Sequence, residues 1–114
     1  MIKYILNIFL SILLLILDTP AYSTDFSSEA IKNYTQKIVR KFSKTYCNST
    51  KFGISKEGAL KFSIGETNKE FSNKKLNNFI DYELLKKNIL INLENTCQIS
   101  DFPEYELEKL EFKY

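Results

Sequence analysis

Two cysteines are the residues of this chain whose type could most directly support chemistry. Cys47 lies in the stretch TYCNSTKFG and Cys97 in ENTCQIS, and the 114-residue sequence contains no other cysteine and no histidine. A catalytic thiol needs a base that forms the thiolate, and histidine is the usual one. A tetrahedral zinc site needs four ligands, which two distant cysteines without histidine do not complete. The sequence therefore predicts no metal site and disfavours a nucleophilic cysteine.

A disulfide bond is the alternative for the same pair. Thiols become disulfides in oxidising compartments, and the N-terminus, described below, predicts export. Two cysteines allow a single intramolecular pairing, Cys47 with Cys97. Such a bond closes a loop, and the chain-entropy account predicts that this closure stabilises the folded state by about 4 kcal/mol. We expect each cysteine at or just beyond the C-terminal end of a helix, with Cys47 in the turn that follows the first one.

Carboxylates offer the other route to catalysis. Glu66 and Glu70 would lie one turn apart on a helix and could resemble a catalytic carboxylate pair. They belong to the polar segment ETNKEFSNKKLNN, where no cleft is predicted, so solvated charges explain them better. The stretch GISKEG has the glycine spacing of a phosphate loop, but Ala59 and Leu60 follow it instead of Lys and Ser or Thr. We assign no catalytic residue and no cofactor.

The N-terminus has the layout of a secretory signal peptide. Lys3 precedes the apolar run YILNIFLSILLLIL at residues 4–17, and the small residues Ala21 and Ser23 follow it. A membrane span needs about 20 apolar residues, so a cleaved signal is favoured over a retained anchor. Cleavage after Ser23 leaves residues 24–114, a length typical of one domain. We expect this domain outside the cytoplasm; the retained anchor stays open as the alternative.

Charge is distributed unevenly along a chain whose formal net charge is only +2, which is too small to indicate nucleic acid. Residues 24–87 contain 13 basic and 7 acidic side chains, whereas residues 88–114 contain 2 basic and 6 acidic ones. We favour an acidic tail that packs near the basic first helix. The alternative is a basic face for an acidic protein or an anionic membrane surface, with four candidate contacts: Lys37, Arg40, Lys41 and Lys44.

Apolar periodicity predicts helices throughout the mature chain. The first spans 27–46, is capped by Ser27 and has one stripe at steps of three and four, formed by Ile31, Tyr34, Ile38, Phe42 and Tyr46. A short second helix begins after Ser55 and ends at Gly65, and a third spans 82–97 after Asp81. Pro103 can open a last short helix whose side chains pack back on the core: Tyr105, Leu107 and Leu110.

We therefore predict a small all-α bundle of three to four helices with one disulfide. The alternative is an α+β fold with a short hairpin around residues 52–71, because the segment LKFSI alternates with period two.

Two stretches carry a resemblance to known proteins. YCNS at residues 46–49 and FGISKEGALKFSIGETNKEF at residues 52–71 resemble small exported proteins of marine unicellular cyanobacteria. The resemblance implies a helical fold and a location in the periplasm or thylakoid lumen. It assigns no activity and no catalytic residue.

The function expected from the sequence is that of a small exported binding or accessory subunit. The alternative is a membrane-surface module held by residues 4–17 and the basic helix face. A carboxylate-based hydrolase is the weakest of the three functions considered.

Overall fold

A computed structural model of the protein describes residues 27–112 and, ahead of them, Ile8 alone. The predicted signal peptide at residues 1–23 and its cleavage site lie outside the described residues, apart from Ile8. Within residues 27–112 the chain forms three α-helices and two short 3-10 helices, without strands: α1 (Ser28–Lys51), α2 (Lys56–Phe71), a 3-10 helix (Lys75–Phe79), α3 (Tyr82–Cys97) and a second 3-10 helix (Glu104–Lys109). The predicted small all-α bundle is confirmed, and the α+β alternative with a hairpin at 52–71 is wrong.

Helix α1 begins as predicted and ends later than predicted. Ser27 caps it by accepting a hydrogen bond from the Ala30 amide at 3.1 Å. The predicted end near Tyr46 is wrong, because the helix continues to Lys51 and Cys47 lies inside it rather than in a turn. Cys47 is off the apolar stripe yet buried. The reason is that α1 packs against both α2 and α3, so its buried arc is wider than one stripe.

Helix α2 also runs past its predicted end. Ser55 caps it by accepting from the Gly58 amide at 3.1 Å. The helix continues through Gly65 to Phe71, with Ile64, Thr67 and Phe71 buried at helical spacing. A glycine ends a helix when it adopts a positive φ, and the glycine with positive φ here is Gly53, in the turn before α2.

Helix α3 has the predicted bounds. Asp81 accepts from the Leu84 amide at 3.2 Å, and Gln98 ends the helix in the left-handed region at φ 54°. Three of its side chains have no exposed surface and form the centre of the bundle with α1: Leu85, Ile89 and Leu93.

Residues 99–112, which we call the C-terminal strap, link α2 to α3. Asn68 of α2 donates to the Lys109 carbonyl and accepts from the Glu111 amide, while Lys86 of α3 binds Glu108. The apolar side chains of the strap pack on the helices: Phe102 on Phe42 and Tyr46, and Phe112 on Phe71 and Tyr82. Leu107 and Leu110 are buried as predicted, whereas Tyr105 is 72% exposed and does not pack back.

Candidate interaction surface

The predicted disulfide is present. Cys47 and Cys97 are bonded, with their Cα atoms 5.8 Å apart. The bond joins the last turns of α1 to the last residue of α3, so these two helices point the same way and are fixed together at one end. Both sulfur atoms are engaged in this bond, so its role is to hold the two helices together.

The carboxylate pair considered for hydrolysis lies on the surface of α2. Glu66 is half-buried and Glu70 is exposed, and a Glu70 oxygen lies 3.6 Å from the Lys41 ammonium. Neither carboxylate lines any of the three surface grooves described below. Glu70 therefore acts as an ion-pair partner between α2 and α1.

The predicted basic residues do come together on α1. The side of this helix that faces away from the core, which we call the outer face, is formed at helical spacing by exposed residues: Asn33, Lys37, Arg40, Lys44, Asn48 and Lys51. Lys41 lies at the edge of this face towards α2, is 35% exposed, and pairs with Glu70. Lys51 was not among the predicted contacts and extends the row to the end of the helix.

The outer face is not neutralised by its neighbours. Within residues 27–112, no carboxylate lies within ion-pair distance of Lys37, Lys44 or Lys51. The Arg40 Nε donates to the Gln36 carbonyl of the same helix at 3.4 Å, which leaves its charge uncompensated. Four cations thus share one rigid face without an acidic residue among them.

The acidic tail pairs elsewhere. A Glu108 oxygen lies 2.5 Å from the Lys86 ammonium, and an Asp101 oxygen lies 3.7 Å from that of Lys56. The hydrogen bond that the Lys86 ammonium donates to Glu108, followed by the one it donates to Glu83, raises the pKa of Lys86 above its usual range and keeps this buried ammonium charged.

A third acidic residue of the strap, Glu106, has an oxygen 2.6 Å from the ammonium of Lys109, three residues later in the strap. The strap reaches α1 through the ring of Phe102 on its buried side. We expected the acidic tail to pack near the basic first helix, but the ion pairs do not show this. Within residues 27–112, Asp101, Glu108 and Glu106 pair with α2, α3 and the strap itself, respectively.

The turn between α1 and α2 carries two exposed apolar side chains that were not predicted from the sequence. Phe52 is 84% exposed and Ile54 is 46% exposed, with Lys51 before them and Lys56 after them. We call residues 51–56 the tip. The sequence contains a signal for this exposed ring. Phe52 lies beside a glycine and between lysines in a polar turn, where no core position accounts for an aromatic residue.

Among the open grooves formed by the described residues, three lie between the elements. One, of about 330 Å³, runs between α1 and α3 and is lined by Val39, Arg40 and Ile91. A second of similar volume lies where these helices begin, between Ile31 and Leu84. The third, of about 290 Å³, separates the start of α2 from the strap. All three are open to solvent, unlike the enclosed apolar cavity that a carrier of an apolar ligand would need.

In the described part of the chain, no group of three or more cysteine or carboxylate side chains is arranged to hold a metal ion. No described helix combines the length and apolar character that crossing a membrane requires.

Comparisons with known proteins give no relatives: no family model, no curated protein and no solved structure matches the chain. The resemblance to exported cyanobacterial proteins therefore stays a prediction.

Proposed function

We propose that the protein is an exported, non-catalytic binding or accessory domain that docks an anionic partner through the outer face of α1. One observation carries the proposal. Asp101 and Glu108 of the strap pair with α2 and α3, and Glu106 pairs within the strap, while in residues 27–112 no carboxylate lies within ion-pair distance of the outer-face lysines: Lys37, Lys44 and Lys51. Because the acidic residues pair elsewhere, this row of cations stays uncompensated and keeps its positive electrostatic potential.

The geometry suits a surface contact. Lys37 and Lys51 are separated by about 21 Å along the helix axis at 1.5 Å per residue, so the row spans a length comparable to a small docking site. Each exposed ion pair contributes only about 0–1 kcal/mol, so binding requires several of these cations to act together. Such binding weakens as salt increases, because exposed charges are screened over about 8 Å at physiological ionic strength.

Export is part of the same proposal. The charged, apolar and small-residue segments of positions 1–23 support it, and so does a disulfide, which persists in oxidising compartments. The periplasm or thylakoid lumen is the compartment proposed. N-terminal sequencing of the protein recovered from cells tests this: Thr24 as the first residue supports cleavage, and Met1 or Ile2 supports the alternative of a retained anchor.

Charge reversal on the outer face tests the docking proposal. We expect the wild-type protein to associate with a larger species in native extracts and to be released as salt is raised. The double variant Lys37→Glu/Lys44→Glu should be monomeric at low salt. The control, Lys75→Glu/Lys87→Glu, changes the net charge equally at exposed positions away from the outer face and should behave as wild type. A wild-type protein that is monomeric and without a partner at low salt would contradict the proposal.

A further inference from the structure

The tip between α1 and α2 holds an aromatic side chain in solvent. Phe52 at 84% is the most exposed large hydrophobic residue of the described chain, and Ile54 two residues later is 46% exposed. Scattered exposed apolar residues are ordinary on a protein surface. Here, however, two such residues lie together at the apex of one turn, beyond the end of a basic helix. Neither of them packs in the core of the protein.

The backbone of the tip is fixed rather than loose. The Phe52 amide donates to the Asn48 carbonyl at 3.0 Å, the Gly53 amide to that of Thr50 at 3.1 Å, and the Ile54 amide to that of Ser49 at 3.0 Å. Gly53 makes the turn possible with a φ of +90°, a region that other residues rarely adopt. Three hydrogen bonds therefore fix the backbone of the turn from which the exposed Phe52 ring projects.

Positive charge surrounds this ring. Lys51 precedes it, and Lys44 lies about 12 Å before it along α1 at 1.5 Å per residue. Lys56 follows it and pairs with Asp101 at 3.7 Å, a contact in which both side chains are more than 75% exposed, at 79% and 76%. Such a pair is weak in water, so Lys56 remains able to face an anionic surface.

We propose that the tip inserts Phe52 into the interfacial region of an anionic lipid bilayer, while the outer face of α1 lies on the lipid headgroups. The inference rests on the proposed function and names its partner. Phenylalanine, tryptophan and leucine side chains of interfacial segments are buried at the boundary between headgroups and acyl chains, and lysines near the surface are attracted by anionic lipids. A protruding ring needs a concave pocket on a protein partner, whereas a bilayer accepts it wherever it lands; the tip therefore favours lipid over an acidic protein.

Fluorescence at the tip tests the inference directly. The chain contains no tryptophan, so the variant Phe52→Trp carries a single probe at an exposed position where substitution leaves the core intact. We expect its emission to shift to the blue on phosphatidylcholine vesicles with about 30% phosphatidylserine, and brominated acyl chains to quench it several-fold. Neutral vesicles of phosphatidylcholine alone should cause neither change.

A matched variant locates the effect. Leu84→Trp places the probe at a 51% exposed position in the first turn of α3, at the end of the bundle opposite Cys97 and the tip. Its emission should not change on either kind of vesicle. Because each probe reports its own surroundings, a retained N-terminal anchor would not reproduce the Phe52→Trp response.

Three results would overturn the inference. They are an unchanged Phe52→Trp spectrum on anionic vesicles, an equal response on neutral vesicles, or an equal response of Leu84→Trp. The tip inference can also fail while the proposed function stands: this is the outcome if Lys37→Glu/Lys44→Glu abolishes a salt-sensitive association while Phe52→Ser/Ile54→Ser retains it. If Lys37→Glu/Lys44→Glu leaves the association unchanged, the proposed function itself falls. We expect Phe52→Ser/Ile54→Ser to weaken binding to the anionic vesicles at least tenfold.

Discussion

The Tyr34 hydroxyl donates a 2.5 Å hydrogen bond to the Asn77 side-chain oxygen, and both residues are buried. The amide nitrogen of Asn77 in turn donates to the Phe71 carbonyl at 2.7 Å. Phe71 is the last residue of α2, and carbonyls at a helix end lack partners within the helix. Asn77 thus ties α1, the end of α2 and the first 3-10 helix together through one side chain.

Asn77→Ala should destabilise the protein strongly. The variant removes the acceptor of the Tyr34 hydroxyl and a donor to the Phe71 carbonyl, and leaves these two buried groups only the long 3.5 Å hydrogen bond between them. We expect the free energy of unfolding to fall by about 2–4 kcal/mol. Urea denaturation followed by circular dichroism measures the change. Asn78→Ala, at the exposed neighbouring position of the same 3-10 helix, should stay within about 0.5 kcal/mol of wild type. Equal losses in the two variants would contradict the role assigned to Asn77.

The same junction predicts a loss of stability at high pH. Burial, followed by the charge of Tyr82, raises the pKa of Tyr34 to about 12, against 10.0 for an unperturbed tyrosine. The folded state therefore holds this proton more tightly than the unfolded state. Its contribution to stability is fully present below pH 10 and is lost as the pH rises towards 12.

Tyr34→Phe is the comparison that isolates this titration. From pH 9 to pH 12, wild type should lose on the order of 2 kcal/mol more of its free energy of unfolding than the variant does. Burial also raises the pKa of Tyr46 and Tyr82, but both proteins retain these residues, so their effect cancels in the difference. Parallel pH profiles for the two proteins would show that Tyr34 does not titrate in this way.

Local signals in the sequence were enough for the caps and for α3. Ser27, Ser55 and Asp81 each accept the predicted hydrogen bond at a helix start, because capping depends on residues within one turn. The ends of α1 and α2 were misplaced, since they depend on partners distant in sequence. Cys47 is buried because α1 packs against both α2 and α3, with the end of α3 beside it.

The candidate site, like the fold, could be predicted from the sequence only in part. Helical spacing alone placed the basic residues on one face of α1, whereas the pairing of the acidic strap with Lys56 and Lys86 required the tertiary fold. The exposure of Phe52 likewise depends on which side the turn faces. Sequence reasoning therefore identified the cations and missed both the reason they stay uncompensated and the tip beside them.

Removing the disulfide should lower stability without removing the helices. Cys47→Ala/Cys97→Ala opens a bond with a sequence separation of 50, which should lower the free energy of unfolding by about 3–4 kcal/mol. Urea titration with and without a thiol reductant measures this. The free energy of unfolding of the reduced wild type should approach that of the variant. The reductant should not change the free energy of unfolding of the variant. Non-reducing mass spectrometry that finds two free thiols in the protein recovered from cells would contradict the bond.

The strap should contribute to stability through Leu107. This side chain is 1% exposed, whereas Tyr105 in the same 3-10 helix is 72% exposed. Leu107→Ala should cost about 2–4 kcal/mol, because it removes buried methyl groups and leaves a cavity. Tyr105→Ala should change the free energy of unfolding by less than about 0.5 kcal/mol. If the two variants are equally stable, the strap does not form part of the cooperative core.

Gly65→Ala should stabilise the protein. Gly65 lies inside α2 with no positive φ, and a Cβ atom built there meets nothing within 4 Å. Alanine at a helix interior is favoured over glycine by about 1 kcal/mol, so the variant should unfold at a higher urea concentration with an unchanged slope. Gly58→Ala is the matched control, since its Cβ would meet the capping Ser55 oxygen at 3.1 Å and Ile54 at 3.2 Å. It should gain less, because the added methyl group crowds the cap; an equal or larger gain at Gly58 would contradict this account of how α2 begins.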